Sequence, residues 1–291
     1  MQNHNIKIED IINIAKKAGE IAMEFYNKDY TIEQKQNKTP VTEVDIAIND
    51  YLIKELEKYN YPILSEEVRD DFEKRANTEF VWIIDPLDGT ADFIQKTGEF
   101  SIMIGLVDNS GKSVLGVVYA PALGELYWAQ KNKGAYIMFL RGVFSDEAIL
   151  IDKNISNQPQ NNKNVISTET EYSGEISKLK VQKISVSNNP IQNGKILTSR
   201  NHLGEYEQQI AKKYNMKQIP TGSAGLKICW IAGGDAELYI NSSDKSGLWD
   251  ICAADIILTQ AGGKITDKNK KQILYNKKEI MLLDGYIASN R

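Results

Sequence analysis

The sequence predicts an α+β fold in which helices and mostly antiparallel strands form separate layers. Three observations predict it. Helical periodicity dominates the N-terminal region, strands then follow one another through residues 100–140, and an apolar helix with a glycine stop precedes the closing strands. That order does not suggest a βαβ repeat.

Ile8, Ile11, Ile12, Ala15, Ala18, Ala22 and Phe25 fall at helical spacing, so residues 8–26 form an amphipathic helix. Residues 30–40 are polar and extended, and a second helix begins near Thr42, carrying Asp45, Ile48, Leu52 and Leu56. Pro62-Ile63-Leu64 is a short strand running into Ser65-Glu66-Glu67. Four apolar residues, Val81-Trp82-Ile83-Ile84, form a strand buried on both faces. It is expected to stop at Asp85-Pro86, because proline fixes φ and offers no N–H to a ladder. Strands at 100–107 and 114–119 make a hairpin about Asp108-Asn109-Ser110-Gly111, and strands at 126–129 and 134–140 extend the run. Residues 141–180 are polar and aperiodic and read as an insertion or mobile excursion. Strands at 183–186, 195–198, 236–240, 264–266 and 279–288 then alternate with helices at 206–214, 222–232 and 250–260, the last stopped by Ala261-Gly262-Gly263.

The chain of 291 residues is long enough for a substantial core. A net charge of −4 argues against an electrostatic nucleic-acid binder. No apolar run reaches membrane-spanning length and Met1-Gln2-Asn3-His4-Asn5 lacks a signal-peptide pattern, so a cytoplasmic protein is expected. Cys229 and Cys252 lie in apolar segments and read as buried thiols.

Asp85 and Asp88 flank a proline at the end of a buried strand, where two carboxylates repel and, left unpaired in a dry site, protonate or destabilise the fold. A divalent cation resolves both problems, and Gly89-Thr90 offers backbone N–H groups to a phosphate. A solvated Asp-Pro-x-Asp-Gly turn is the alternative on this segment alone. Acidic residues recur at other breaks: Asp45 early in a helix, Glu66 after a strand, and Asp250, a good N-cap in its own right. Together they suffice for a phosphate-ester hydrolase with two or three Mg²⁺ ions. Neither cysteine lies in a glycine-rich anion loop followed by arginine, and no P-loop run is present. A phosphatase on this chain must therefore activate water with metal.

Ile63-Leu64-Ser65-Glu66-Glu67, Trp82-Ile83-Ile84-Asp85-Pro86-Leu87-Asp88-Gly89-Thr90, and Leu248-Trp249-Asp250 with Ala261-Gly262-Gly263 resemble the three signatures of the inositol monophosphatase superfamily. Gly98-Glu99-Phe100-Ser101, Ser199-Arg200-Asn201-His202 and Gly222-Ser223-Ala224-Gly225-Leu226-Lys227 are most similar to its 3′(2′),5′-bisphosphate nucleotidase (CysQ-type) branch. The resemblance implies the layered αβαβα sandwich of the inositol monophosphatase and fructose-1,6-bisphosphatase type. Its active site would lie between an N-terminal half, residues 1–182, and a C-terminal half, residues 183–291. It implies that Glu66, Asp85, Asp88, Asp250 and the Leu87 carbonyl ligate Mg²⁺, and that Gly89 and Thr90 hold the phosphate. The catalytic group would be Glu66, Thr90, whose hydroxyl orients the attacking water, and Asp45 behind it, polarising that hydroxyl or holding a third, weaker metal. Arg200, His202, Gly222, Ser223, Ala224, Lys227 and Asp250 would meet the rest of the substrate.

Inositol-binding members place a glutamate after the strand preceding the Trp-Asp signature, where this chain has Asn241. The expectation is a Mg²⁺-dependent phosphomonoesterase taking a small phosphorylated substrate, adenosine 3′,5′-bisphosphate, to AMP and phosphate. Inositol monophosphatase and sugar-bisphosphate phosphatase are the enzyme alternatives, and a silent binder of metal and nucleotide is the non-enzyme one. A homodimer is left open, since no interface is legible in the sequence.

Overall fold

The computed structural model describes residues 6–28, 32–34, 40–140, 181–200 and 203–291. The excursion expected over 141–180 and residues Asn201 and His202 lie outside the described residues. Helix α1 (Ile8–Tyr26) buries Ile8, Ile11, Ile12, Ala15, Ala18 and Ala22 along one stripe. Strands β1 (Ile32–Gln34) and β2 (Pro40–Thr42) pair antiparallel within the segment expected to be simply extended. Helix α2 (Glu43–Leu56) starts at a capping box, in which Thr42 Oγ1 accepts from Asp45 N and Asp45 Oδ2 accepts from Thr42 N at 2.7 Å. Such a cap contributes about 1 kcal/mol.

A seven-stranded sheet follows, in the spatial order β3 (Ile63–Ser65), β4 (Phe80–Asp88), β5 (Ser101–Asp108), β6 (Ser113–Ala120), β7 (Glu125–Gln130), β8 (Gly134–Phe139), β9 (Val181–Ile184). β3 and β4 are parallel and the later pairs antiparallel. Two short helices, α3 (Phe72–Arg75) and α4 (Thr90–Ile94), flank β4. The expected stop at Asp85-Pro86 is not observed. β4 continues to Asp88, with Asp85 opposite Met103 and Asp88 opposite Ser101. Pro86 and Leu87 therefore face the single residue Ile102, and this bulge absorbs the N–H that proline lacks.

The second sheet has the order β11 (Lys217–Thr221), β10 (Lys195–Ser199), β12 (Leu238–Asn241), β14 (Tyr286–Ser289), β13 (Lys264–Thr266). β10 runs parallel to both β11 and β12, through helices α5 (Glu205–Lys213) and α6 (Ala224–Ala232). Here the expectation against βαβ units fails. The cause is β11, an edge strand whose Pro220 and exposed alternate residues carry no strand pattern. The last strand is also shorter than expected, beginning at Tyr286.

Alternation along the strands assigns the layers. Trp82 and Ile84 pack with α1 and α2, while Val81 and Ile83 pack with α6 and helix α7 (Trp249–Gln260). In the second sheet Leu197, Tyr239 and Ala288 face α6 and α7, and Ile196, Leu238 and Ile240 face Ala211 of α5. The result is the expected αβαβα sandwich, with α6 and α7 between the sheets. Among the described residues no helix is long and apolar enough to cross a membrane. Cys229 and Cys252 are buried free thiols, as expected.

α7 lies close to the large sheet because two paired strand positions have no side chain. Gly105 and Gly116 are cross-strand partners. A Cβ on Gly116 would stand 2.1 Å from Ala253 O, and one on Gly105 would stand 2.7 Å from Cys252 Sγ. Gly116→Ala is expected to lower unfolding free energy by about 2–3 kcal/mol in urea denaturation, because a backbone carbonyl cannot rotate aside. A loss below about 0.5 kcal/mol, the level of an ordinary surface substitution, would mean that α7 does not press on the sheet there.

Candidate metal centre and active site

The β4 bulge and the start of α7 bring three carboxylates together: oxygen atoms of Asp85, Asp88 and Asp250 lie within 4.8 Å of one another. Ionised carboxylates at that distance repel by about 3 kcal/mol per pair at an effective dielectric of about 20. Asp250 is not an N-cap. Leu248 holds the cap position, and Asp250, inside the first turn, reaches back so that its Oδ2 accepts from Gly247 N at 2.6 Å.

Asp85 and Asp88 are both buried, but only one is compensated. Asp88 Oδ2 accepts from Ser223 Oγ and from Gly225 N at 2.8 Å, and its Oδ1 accepts from Ala224 N at 3.1 Å. Burial raises its pKa, and these donors at the start of α6, with Lys227, oppose the rise. Among the described residues, Asp85 Oδ1 accepts only from Leu87 N, at 3.1 Å, and its Oδ2 has no hydrogen-bond partner. Burial, then the charges of Glu66, Asp88, Asp250 and Glu67, hold the Asp85 carboxyl well above the usual range. Glu66, in the turn after β3, stands outside the mutual spacing of the trio and acts on Asp85 as a neighbouring like charge. A bare, dry carboxylate oxygen among hard oxygen donors fits a divalent cation.

Beside the trio, Thr90 Oγ1 donates to Asp45 Oδ1 at 3.0 Å and lies 3.2 Å from Leu87 O. Asp45 thus caps α2 through one oxygen and meets Thr90 through the other. Gly89, at φ +93°, turns the chain from β4 into α4. A Cβ there would be 3.2 Å from both Glu99 O and Ser223 N, so the bulge and the α6 start meet at bare backbone.

The residues expected to meet substrate divide. Gly222, Ser223 and Ala224 form the start of α6, with Ser223 Oγ accepting from Leu226 N at 3.0 Å. Ser223 holds φ +22°, a strained value for a residue with a Cβ. Arg200 is engaged by two carboxylates, Asp92 and Glu99, the latter at 2.8 Å. Glu99 Oε2 also accepts from Gly222 N at 2.7 Å. Lys227 is not a solvated helix residue. It is 3% exposed, and its ammonium donates to the carbonyls of Thr221, at 3.2 Å, and Gly222. Burial lowers its pKa to about 8, against the pull of Asp88, Asp92 and Glu99. His202 lies outside the described residues. The sequence alone assigns Asp92 and Glu99 no role. Glu99 sits in a legible motif, Gly98-Glu99-Phe100-Ser101, but nothing local pairs it with Arg200, 101 residues away.

Residues 6–290 match the inositol monophosphatase family. The chain is 31% identical to the 3′(2′),5′-bisphosphate nucleotidase CysQ of Aggregatibacter actinomycetemcomitans, over 96% of this chain and 91% of the relative. It is 28% identical to the protein of the same name from Escherichia coli (strain K12), over 97% and 99% of the two chains. The solved structure of CysQ from Bacteroides thetaiotaomicron, a bacterial member of the inositol monophosphatase family, superposes with a TM-score of 0.74 at 27% identity, covering 99% of this chain and 100% of that one. With the layered fold, the acidic trio and the full-length match in agreement, this chain belongs to the inositol monophosphatase family, whose members are metal-dependent phosphatases.

Proposed function

We propose that the protein is a Mg²⁺-dependent 3′(2′),5′-bisphosphate nucleotidase that removes the 3′-phosphate of adenosine 3′,5′-bisphosphate, leaving AMP and phosphate. The observation that carries the reading is the Thr90–Asp45 hydrogen bond, 3.0 Å long, beside the three-carboxylate cluster. Asp85, Asp88, Asp250, Glu66 and the Leu87 carbonyl would hold the metal. When bound, Mg²⁺ supplies positive charge that acidifies water and draws electron density from the phosphoryl group.

The chain's own residues orient the attack. Thr90 donates its hydroxyl hydrogen bond to Asp45, so the lone pairs of Thr90 Oγ1 are free to accept an O–H of the incoming water and aim that water's own lone pair at phosphorus. The P–O bond to the ribose breaks as the new P–O bond forms; the attacking water gives up one proton and the departing ribose oxygen gains one, so that water and ester leave as phosphate and a hydroxyl. Lys227, by gripping the Thr221 and Gly222 carbonyls, fixes the loop that enters α6 and so holds the donors on Asp88. The relatives named CysQ support the choice of a nucleotide. So does Asn241, whose amide donates to Ser246 Oγ at 2.9 Å where inositol-binding members carry a carboxylate. Glu207 does reach this turn, but it is buried and accepts from Ser242 N at 2.8 Å.

The direct test is a panel of adenosine 3′,5′-bisphosphate, inositol 1-phosphate and fructose 1,6-bisphosphate with and without Mg²⁺. The nucleotide is expected to lead in kcat/KM by at least about tenfold. Preference for inositol 1-phosphate would make the protein an inositol monophosphatase, and no turnover of any of them would make it a silent binder. The hydroxyl–carboxylate pair has its own test. Thr90→Val and Asp45→Asn are each expected to lower kcat by roughly 10²–10⁴-fold with little change in KM. The double variant should be hardly slower than either single, because the two act as one unit. Additive losses would show that they act separately.

A further inference from the structure

A charged side chain outside the site is buried almost as deeply as Asp85 within it. Arg75, closing α3, is 1% exposed. Its Nε and Nη2 donate to both oxygens of Asp70, each at 2.7 Å. The rest of the fork reaches across the chain, Nη1 to Asn276 Oδ1 at 3.2 Å and Nη2 to Lys277 O at 2.8 Å. Asn276 Nδ2 returns a bond to Arg75 O at 3.3 Å.

Both ends of this contact lead to the acidic cluster. Asp70 closes the short span that begins with Glu66, and the other end of that span is pinned where Ser65 Oγ donates to Asn49 Oδ1 at 2.7 Å. Asn276 and Lys277 lead into Ile280, whose carbonyl accepts from Leu248 N at 2.9 Å, and into Met281, which bridges to Gly247. Gly247 N in turn holds Asp250. Burying an arginine–aspartate pair is poor value for stability alone, since an apolar pair of similar volume often does as well. What the planar fork adds is fixed direction, and it adds it to three groups at once.

We propose that Arg75 is a positioning residue that ties the Glu66 turn to the Gly247–Asp250 turn and so sets the spacing of the carboxylates around the cation. The inference rests on the Mg²⁺ reading above. Arg75 touches neither metal nor substrate; it sets where Glu66 and Asp250 stand. Its loss therefore weakens metal binding more than it slows the loaded enzyme.

The test is Mg²⁺ titration by calorimetry of the wild-type chain, Arg75→Lys and Asp70→Asn, with the Mg²⁺ dependence of phosphate release measured alongside. Both variants are expected to bind Mg²⁺ roughly tenfold more weakly. Their kcat at saturating Mg²⁺ should stay within about twofold of wild type, the signature of lost binding rather than lost chemistry. Asn276→Ala, which removes one neutral contact, keeps the test open if the charged-pair variants do not fold, and should weaken binding in the same direction. Folded variants that melt lower but bind Mg²⁺ as wild type does would overturn the positioning role and leave the phosphatase reading standing. A wild-type chain that binds no Mg²⁺ would overturn both.

Discussion

The Oδ2 of Asp85, without a hydrogen-bond partner among the described residues, is the constraint around which the rest of the molecule is arranged. A fully buried carboxylate with one hydrogen bond and several acidic neighbours is a poor way to stabilise a protein. Its partner across the bulge shows how such a charge is ordinarily satisfied. Asp88 takes two backbone N–H groups and a hydroxyl from the start of α6, with Lys227 behind them. Asp85 receives nothing comparable. The difference lies in what each residue is turned toward, a helix start in one case and other carboxylates in the other.

The layered architecture makes that difference possible. α6 and α7 are sandwiched between the sheets, so the start of each can meet the β4 bulge from the far side. α6 brings donors that satisfy Asp88; α7 brings Asp250 and adds charge. The bare surface at Gly105 and Gly116 lets α7 lie low enough on the large sheet for this. Beyond the trio, carboxylates are spent on position. Glu99 and Asp92 fix Arg200, and Glu99 also fixes Gly222.

What the sequence made legible was local or strongly patterned. The buried strand at 81–84 and the Thr42 start of α2 depend on a few consecutive residues, and both are found. Asp45, Glu66, Asp85, Asp88 and Asp250 could be picked out as acidic residues recurring where secondary structure breaks, whereas the part given to the Thr90 hydroxyl comes from the family resemblance. Features set by a distant partner were not legible. Whether β4 ends at Pro86 depends on β5, which accommodates a bulge. Whether Asp250 caps its own helix depends on Gly247, held in turn by Met281. Arg200 and Lys227 look like anion-binding cations in the sequence, yet folded they face carboxylates and carbonyls, because no local rule says which acceptor reaches a long cationic side chain first.

The central claim is that the fold tolerates Asp85 for the sake of a cation, and metal-linked stability tests it most directly. Thermal unfolding of the metal-free chain and of Asp85→Asn would be followed with Mg²⁺ and with NaCl at matched ionic strength. The account predicts that Mg²⁺, but not NaCl, raises the wild-type midpoint by several degrees, in line with about 2.7 kcal/mol at a hundredfold excess over Kd. It also predicts that metal-free Asp85→Asn melts higher than metal-free wild type and gains nothing from Mg²⁺. A wild-type midpoint indifferent to Mg²⁺, or an Asp85→Asn variant that is less stable and still responds to it, would contradict the account.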